Sequence, residues 1–350
     1  MAKKPANAFW SKSLQRTLTS LTRTALRAGT KAVKQSLRAA PKVRKAATPK
    51  RAPSPPPRSS AAHWHKGIAI GPRGARGYHL YKPPGVRRTE RLALMVMLHG
   101  CGQDGAALAA SSQMNRIAAR ERFMVLYPEQ DRLANAQGCW NWFDTRSGRA
   151  QREADSIDAA IDQVCLLQPV DSNRIALAGI SAGASTAALM AVRHPGRYRA
   201  VAMHSGIAPG AAQSSATALS AMRGRRSAPP LPPRGDGEHL PALLVIQGTA
   251  DPVVAPGNGA AAAHVWATRE EATPGIPRTV QRGARYAANV TDYKNKGRLV
   301  ATLCLVSGLG HAWSGGAAGK AFSDPKGPDA SKMIWSFAAK QFAIGPTRKA

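Results

Sequence analysis

Short apolar runs recur through most of the chain: LALMVML at 92–98, FMVLYP at 123–128, RIALAGI at 174–180, YRAVAMHSG at 198–206, PALLVIQG at 241–248 and RLVATLCLVSG at 298–308. LALMVML and RIALAGI are almost unbroken, which is how a strand covered on both faces reads. Between the runs the pattern turns helical, over Ala107–Arg120, Ser156–Leu167 and Ala184–Arg193, and Ala330–Phe342 reads as a closing helix. Asp155 is placed to cap the second of these helices, its carboxylate accepting first-turn N–H bonds. HKGIAI and RGYHLYKP precede the series as an antiparallel pair turning through Gly71 to Gly77. Repeated strand–helix–strand units predict an α/β fold, an open and mostly parallel central sheet with helices on both faces. The segment between Gly206 and Leu240, which contains APPLPPRGDG, reads as an irregular insertion, either a lid or a loop.

Charge divides the chain. The 350 residues carry 50 Lys and Arg against 19 Asp and Glu, a formal net charge of +31. No acidic residue precedes Glu90, and residues 1–60 hold 15 of the Lys and Arg. Within that arm Trp10, Leu14, Leu18, Leu21 and Ala25 recur at helical spacing, and PKRAPSPPPRSS at 49–60 reads as an extended linker. Two readings stay open for the arm: an amphipathic helix on an anionic or apolar surface, or a solvated basic tail. The expected division is a basic arm over 1–60 and a catalytic domain over 61–345. The arm lacks the apolar core of a secretory signal, and no apolar run reaches the length of a membrane span. The four cysteines allow at most two bridges, and their pairing is open.

The sharpest local signal is Gly179-Ile180-Ser181-Ala182-Gly183, between a buried strand and a helix. A tight turn there exposes a serine hydroxyl, and glycines on either side avoid collisions with neighbouring backbone. Such a hydroxyl needs a base to take its proton. PALLVIQG runs into a loop carrying Asp251, and RLVATLCLVSG into a loop carrying His311, both at the carboxyl ends of strands where sites collect in α/β sheets. The reading is Ser181 as nucleophile, His311 as general base and then acid, and Asp251 as the group orienting the imidazole. Asp292 and Asp324 fit less well because neither follows an apolar strand; His194 sits at a helix terminus and His204 within a strand. LHGCGQ at 98–103 follows the first long strand, so the backbone N–H groups of Cys101 and Ala182 are the candidate oxyanion donors.

These residues resemble the poly(3-hydroxybutyrate) depolymerase-like esterases of the α/β-hydrolase superfamily, with their feruloyl and acetyl-xylan esterase relatives. The matching stretches are LMVMLHGCGQDG at 94–105, GCWNWFD at 138–144, NRIALAGISAGAS at 173–185, QGTADPVVAP at 247–256 and GLGHAWSGG at 308–316. The resemblance implies an α/β-hydrolase fold and a serine carboxylic ester hydrolase. It implies a triad of Ser181, Asp251 and His311, and an oxyanion hole from the Cys101 and Ala182 amides. It also implies a substrate wall built from Trp140, Trp142 and Phe143, with Trp313 beside it. The expected substrate is a hydroxyalkanoate polymer or oligomer, or a related soluble ester, with a feruloyl or acetyl-xylan ester as the alternative. The departures are Ser314, where relatives often carry Pro, and the basic arm, where many carry a secretion signal. The resemblance therefore points outside the cell, and the arm toward a cytoplasmic or granule-associated protein.

No GxxxxGK or HExxH motif occurs, and neither a cofactor nor a metal is expected. The basic arm suggests contact with an anionic surface, and a nucleic-acid-binding protein is the reading from another class, although no specific nucleic-acid motif accompanies the charge.

Overall fold

The central sheet is laid down in the order β1-β2-β4-β3-β5-β6-β7-β11-β10-β8, and its middle is parallel throughout. The computed structural model describes residues 63–233, 235 and 238–344, so the expectations for the arm lie outside the described residues. Strands β1 (His63–Gly71) and β2 (Gly74–Lys82) form the opening hairpin, with only Pro72 and Arg73 between them; β2 begins earlier than the glycines suggest. The parallel strands are β3 (Leu92–Leu98), β4 (Met124–Pro128), β5 (Val170–Ile180), β6 (Ala200–His204), β7 (Ala242–Gly248) and β11 (Arg298–Val306). An antiparallel edge follows, made of β10 (Ala288–Asn295) with the short β8 (Thr273–Pro274) and β9 (Arg278–Val280).

The apolar runs are unbroken because alternate side chains enter two cores. Leu94, Val96 and Leu98 of β3 join one, while Met95 and Met97 join the other. The first core is closed by α3 (Arg149–Leu167), α4 (Ala182–Arg193) and α6 (Gly257–Arg269). The second is closed by α1 (Gly105–Ser112), α2 (Met114–Glu121) and α7 (Ala330–Ala343). The open, mostly parallel sheet with helices on both faces is therefore present as expected.

Three local expectations are corrected. The helix expected over 107–120 is two helices, broken at Gln113, whose φ of 56° ends α1 and starts α2. The helix expected from Ser156 starts at Arg149 behind Gly148, so Asp155 is not a cap. Its carboxylate instead pairs with Arg193 of α4 at 2.5 Å. The insertion after Gly206 contains α5 (Ser215–Met222), capped by Ser214, and a small core of its own that includes Ile207, Ala218 and Val254. Two short strands, β12 (Trp313–Ser314) and β13 (Ser323–Asp324), pair apart from the main sheet.

Candidate active site

Ser181 stands between β5 and α4 with φ 56° and ψ −122°, a left-handed conformation that a serine adopts at a cost of roughly 1–3 kcal/mol. The turn has no room for side chains on its flanks. A Cβ on Gly179 would lie 2.4 Å from the Gly183 carbonyl carbon, and one on Gly183 would lie 2.2 Å from the Leu98 oxygen. The Ser181 N–H is held by the His204 carbonyl at 2.9 Å, across from the end of β6. The glycine pattern thus has a steric cause, and it forces the hydroxyl-bearing residue to the carboxyl edge of the sheet.

Asp251 and His311 reach the same edge because β7 and β11 are parallel neighbours in register, Gly248 opposite Val306. Their loops are laced together. Thr249 N–H donates to Val306 O at 2.9 Å, Ala250 N–H to Leu309 O at 3.1 Å, and Gly308 N–H to Thr249 Oγ1 at 2.9 Å. His311 Nδ1 then meets Asp251 Oδ2 at 2.8 Å. The other carboxylate oxygen accepts from Val253 N–H at 2.9 Å and Val254 N–H at 2.8 Å. Burial alone pushes the Asp251 carboxyl up, but the His311 bond, the imidazolium charge and the two amides outweigh it and hold the group below its ordinary value. Asp251 is therefore an ionised acceptor that fixes the His311 ring with Nδ1 protonated, leaving Nε2 as the nitrogen able to take a proton. Asp292 is spent on Arg278 and Thr302, and Asp324 on the Lys326 amide, while His194 pairs with Asp158.

The loop after β3 is built around His99, which the sequence did not single out. Gln130 N–H donates to His99 Nε2 at 3.1 Å, so the proton is on Nδ1, which donates to Gly100 O at 2.9 Å. A planar trans peptide then turns the Cys101 N–H away from His99. Among the described residues, neither that amide nor the Ala182 amide at the start of α4 is spent on another acceptor. Cys101 is bonded to Cys139 in a disulfide, which excludes its sulfur as a nucleophile and ties this loop to 138–143.

The tryptophans divide. Trp140 and Trp313 are both fully buried, which corrects the expectation that they line a substrate wall. Trp140 donates from its indole to His99 O at 3.0 Å, and Trp313 from its own to Ser331 Oγ at 3.1 Å, so each holds a loop from behind. A buried Glu153 carboxylate secures the 138–143 loop further, accepting from Asn141 N–H at 2.8 Å and Gln130 Nε2 at 2.8 Å. Trp142 is only half-buried. It stands edge-on to Phe143 and packs on the small core containing Ile207 and Val254, beside the Asp251 loop.

His204, a less well fitting candidate by sequence, is the second residue whose role only the structure shows. It is wholly buried at the end of β6; Ser314 N–H donates to its Nε2 at 3.1 Å, so Nδ1 carries the proton and donates to Ser205 Oγ at 3.1 Å. Its ring stacks on Trp313 at 5.3 Å and 20°. It thereby holds the His311 loop against the sheet. Burial first, then the nearby His311 charge, push its pKa down to about 3, with Asp251 opposing. The native state refuses a proton that the unfolded chain accepts below about pH 6.5. Its contribution to stability is thus complete above pH 6.5 and is lost as pH falls toward 3, on the order of 5 kcal/mol in all. Urea midpoints measured from pH 7 to pH 4 are expected to fall, and to fall less steeply in His204→Gln; equal slopes for the two proteins would contradict this.

Among the described residues, no three His, Cys, Asp or Glu side chains gather to hold a metal ion, and no helix is long and apolar enough to cross a membrane.

The fold is shared with an acetyl xylan esterase from Aspergillus awamori, with a TM-score of 0.55 and 17% identity over 72% of this chain and 94% of that one. The arrangement is the α/β-hydrolase fold. Among curated proteins, poly(3-hydroxyalkanoate) depolymerase C of Paucimonas lemoignei is 30% identical over 181 residues, 47% of this chain and 42% of its own. Feruloyl esterase B of Neurospora crassa is 27% identical over 118 residues, 33% of this chain and 39% of its own. The chain thus spans about two fifths of the length of these relatives. The family model for Esterase PHB depolymerase matches residues 76–265, a stretch that holds Cys101, Ser181, Ala182 and Asp251. With more than half of its length covered by that match, the chain belongs to the Esterase PHB depolymerase family.

Proposed function

We propose that this protein is a carboxylic ester hydrolase that works through an acyl-enzyme on Ser181. The observation that carries the reading is the Asp251–His311 hydrogen bond of 2.8 Å at the sheet edge where the Gly179–Gly183 turn carries Ser181. In the first half-reaction His311 Nε2 takes the Ser181 proton as Oγ attacks the ester carbonyl. The oxyanion is received by the Cys101 and Ala182 amides, and the imidazolium returns its proton to the leaving alcohol. Water then attacks the acyl carbonyl, giving its proton to His311, and Ser181 leaves with that proton. Asp251 stabilises the imidazolium in both halves.

The substrate we favour is a short hydroxyalkanoate oligomer or a related soluble ester. The half-buried Trp142 and Phe143, backed by the buried Ile207 and Val254, offer an apolar wall of modest size beside the acid loop. The names of the relatives support the ester class, and they keep a feruloyl or acetyl-xylan ester as the second reading. The test is a panel of p-nitrophenyl esters, hydroxybutyrate oligomers, methyl ferulate and acetylated xylan. Higher kcat/KM for the oligomers than for methyl ferulate and acetylated xylan is expected. The reverse order would transfer the assignment to the second reading, and turnover of amides without esters would reject both. Of the two readings of the basic arm, we propose binding to an anionic surface, and retention on anionic vesicles at low but not high salt checks it against a solvated tail.

A further inference from the structure

On the face of the sheet away from α6, the second core is left incomplete. Helix α7 packs over β5, β6 and β7, and among the described residues no helix packs as extensively over β11 and β10 on that face. A cavity of about 570 Å³ results, within the ~300–1,000 Å³ of small-molecule sites. Its floor is apolar: Leu244, Val290 and Cys304 come from the sheet, and Phe337 and Met333 from α7. None of Ser181, Asp251 or His311 lines it.

The rim has the opposite character. Arg278, Arg282, Arg285, Lys332 and Lys340 stand around the opening, against Asp292 and Asp329. Asp292 is already engaged by Arg278 at 2.8 Å, and Asp329 caps α7 through the Lys332 amide at 2.9 Å. Among the described residues, the side-chain charges of Arg282, Lys332 and Lys340 have no acidic partner within ion-pair distance. An apolar slot ending in uncommitted cations complements a molecule with one aliphatic tail and one carboxylate. The same rim argues against two other occupants. Residues 1–60 carry 15 Lys and Arg and no acid, and a second copy brings a net charge of +31. Both would set like charge against like.

We propose that this cavity is a second binding site, separate from the Ser181 edge, for a single-chain aliphatic carboxylate of medium length. The tail lies along Leu244, Val290, Cys304 and Phe337, and the carboxylate meets Arg282, Lys332 and Lys340. The assignment does not depend on the ester reading, because it uses none of its residues.

The experiment is a titration of the full chain with cis-parinarate, an intrinsically fluorescent fatty acid, followed by displacement with dodecanoate. Two variants accompany the wild type: Ser336→Trp, which sets an indole over the opening from an exposed position on α7, and the charge reversal Arg282→Glu with Lys340→Glu. Saturable one-to-one binding is expected, displaced by dodecanoate and not by dodecyltrimethylammonium. Kd should rise at least about ten-fold in each variant while the thermal midpoint stays at the wild-type value. Absence of saturable binding, or unchanged Kd in both variants, would overturn the proposal. Displacement by a short soluble ester would place the tail at the Ser181 edge instead, and would overturn it too. A wild-type dimer in sedimentation that the charge reversal breaks would give the cavity to a second copy, with the same consequence.

Discussion

Asp251→Asn is expected to lower kcat on a soluble ester by roughly 10²- to 10⁴-fold while leaving the fold intact. The two effects separate because the carboxylate has two jobs. One oxygen accepts from the Val253 and Val254 amides, and an asparagine carbonyl can keep those bonds. The other accepts from His311 at 2.8 Å, where an amide nitrogen would present hydrogen instead of a lone pair. The ring then loses both its tautomer and the charge that supports the imidazolium. Thermal midpoints and circular dichroism should match wild type within the range of a surface substitution, and the loss should fall on kcat more than on KM. If Asp292→Asn or Asp324→Asn gives the large loss and Asp251→Asn does not, the acid has been misassigned.

Much of the site was legible because the physics that makes it is local. The β5 run ends where Gly179 and Gly183 leave no space for a Cβ, so the tight turn that carries Ser181 follows from five residues. Asp251 and His311 follow strands that are both buried on two faces, and equal placement after parallel neighbours brings their loops together. The features that were not legible depend on distant partners. His99 and His204 gain their roles from Gln130 and Ser314, 31 and 110 residues away. The Cys101–Cys139 bond is one of several pairings that four cysteines permit. Trp140 and Trp313 read as a wall because a large aromatic side chain carries the same sequence signal in a core as on a cleft.

Helix boundaries were lost for a related reason. The first turns of α3 hold Glu153 buried as a hydrogen-bond hub for Gln130 and Asn141, so a polar side chain stands where an apolar period would mark the helix. The break at Gln113 carries neither glycine nor proline, and α6 begins behind Pro256 without a side-chain cap. Strand β10 lies near the sheet edge and alternates buried with exposed residues only weakly, which hid it between two better signals.

The central claim is that Ser181 forms the covalent bond to the acyl group, and the most direct measurement is peptide mapping by mass spectrometry after reaction with a serine-directed phosphonate. In wild type, loss of ester turnover should track incorporation of one label, and that label should lie on Ser181. Ser181→Ala should take no label, keep the wild-type circular-dichroism spectrum, and lose turnover by a factor on the order of 10⁶. Label on a different serine, or an alanine variant that still turns over ester near the wild-type rate, would contradict the account.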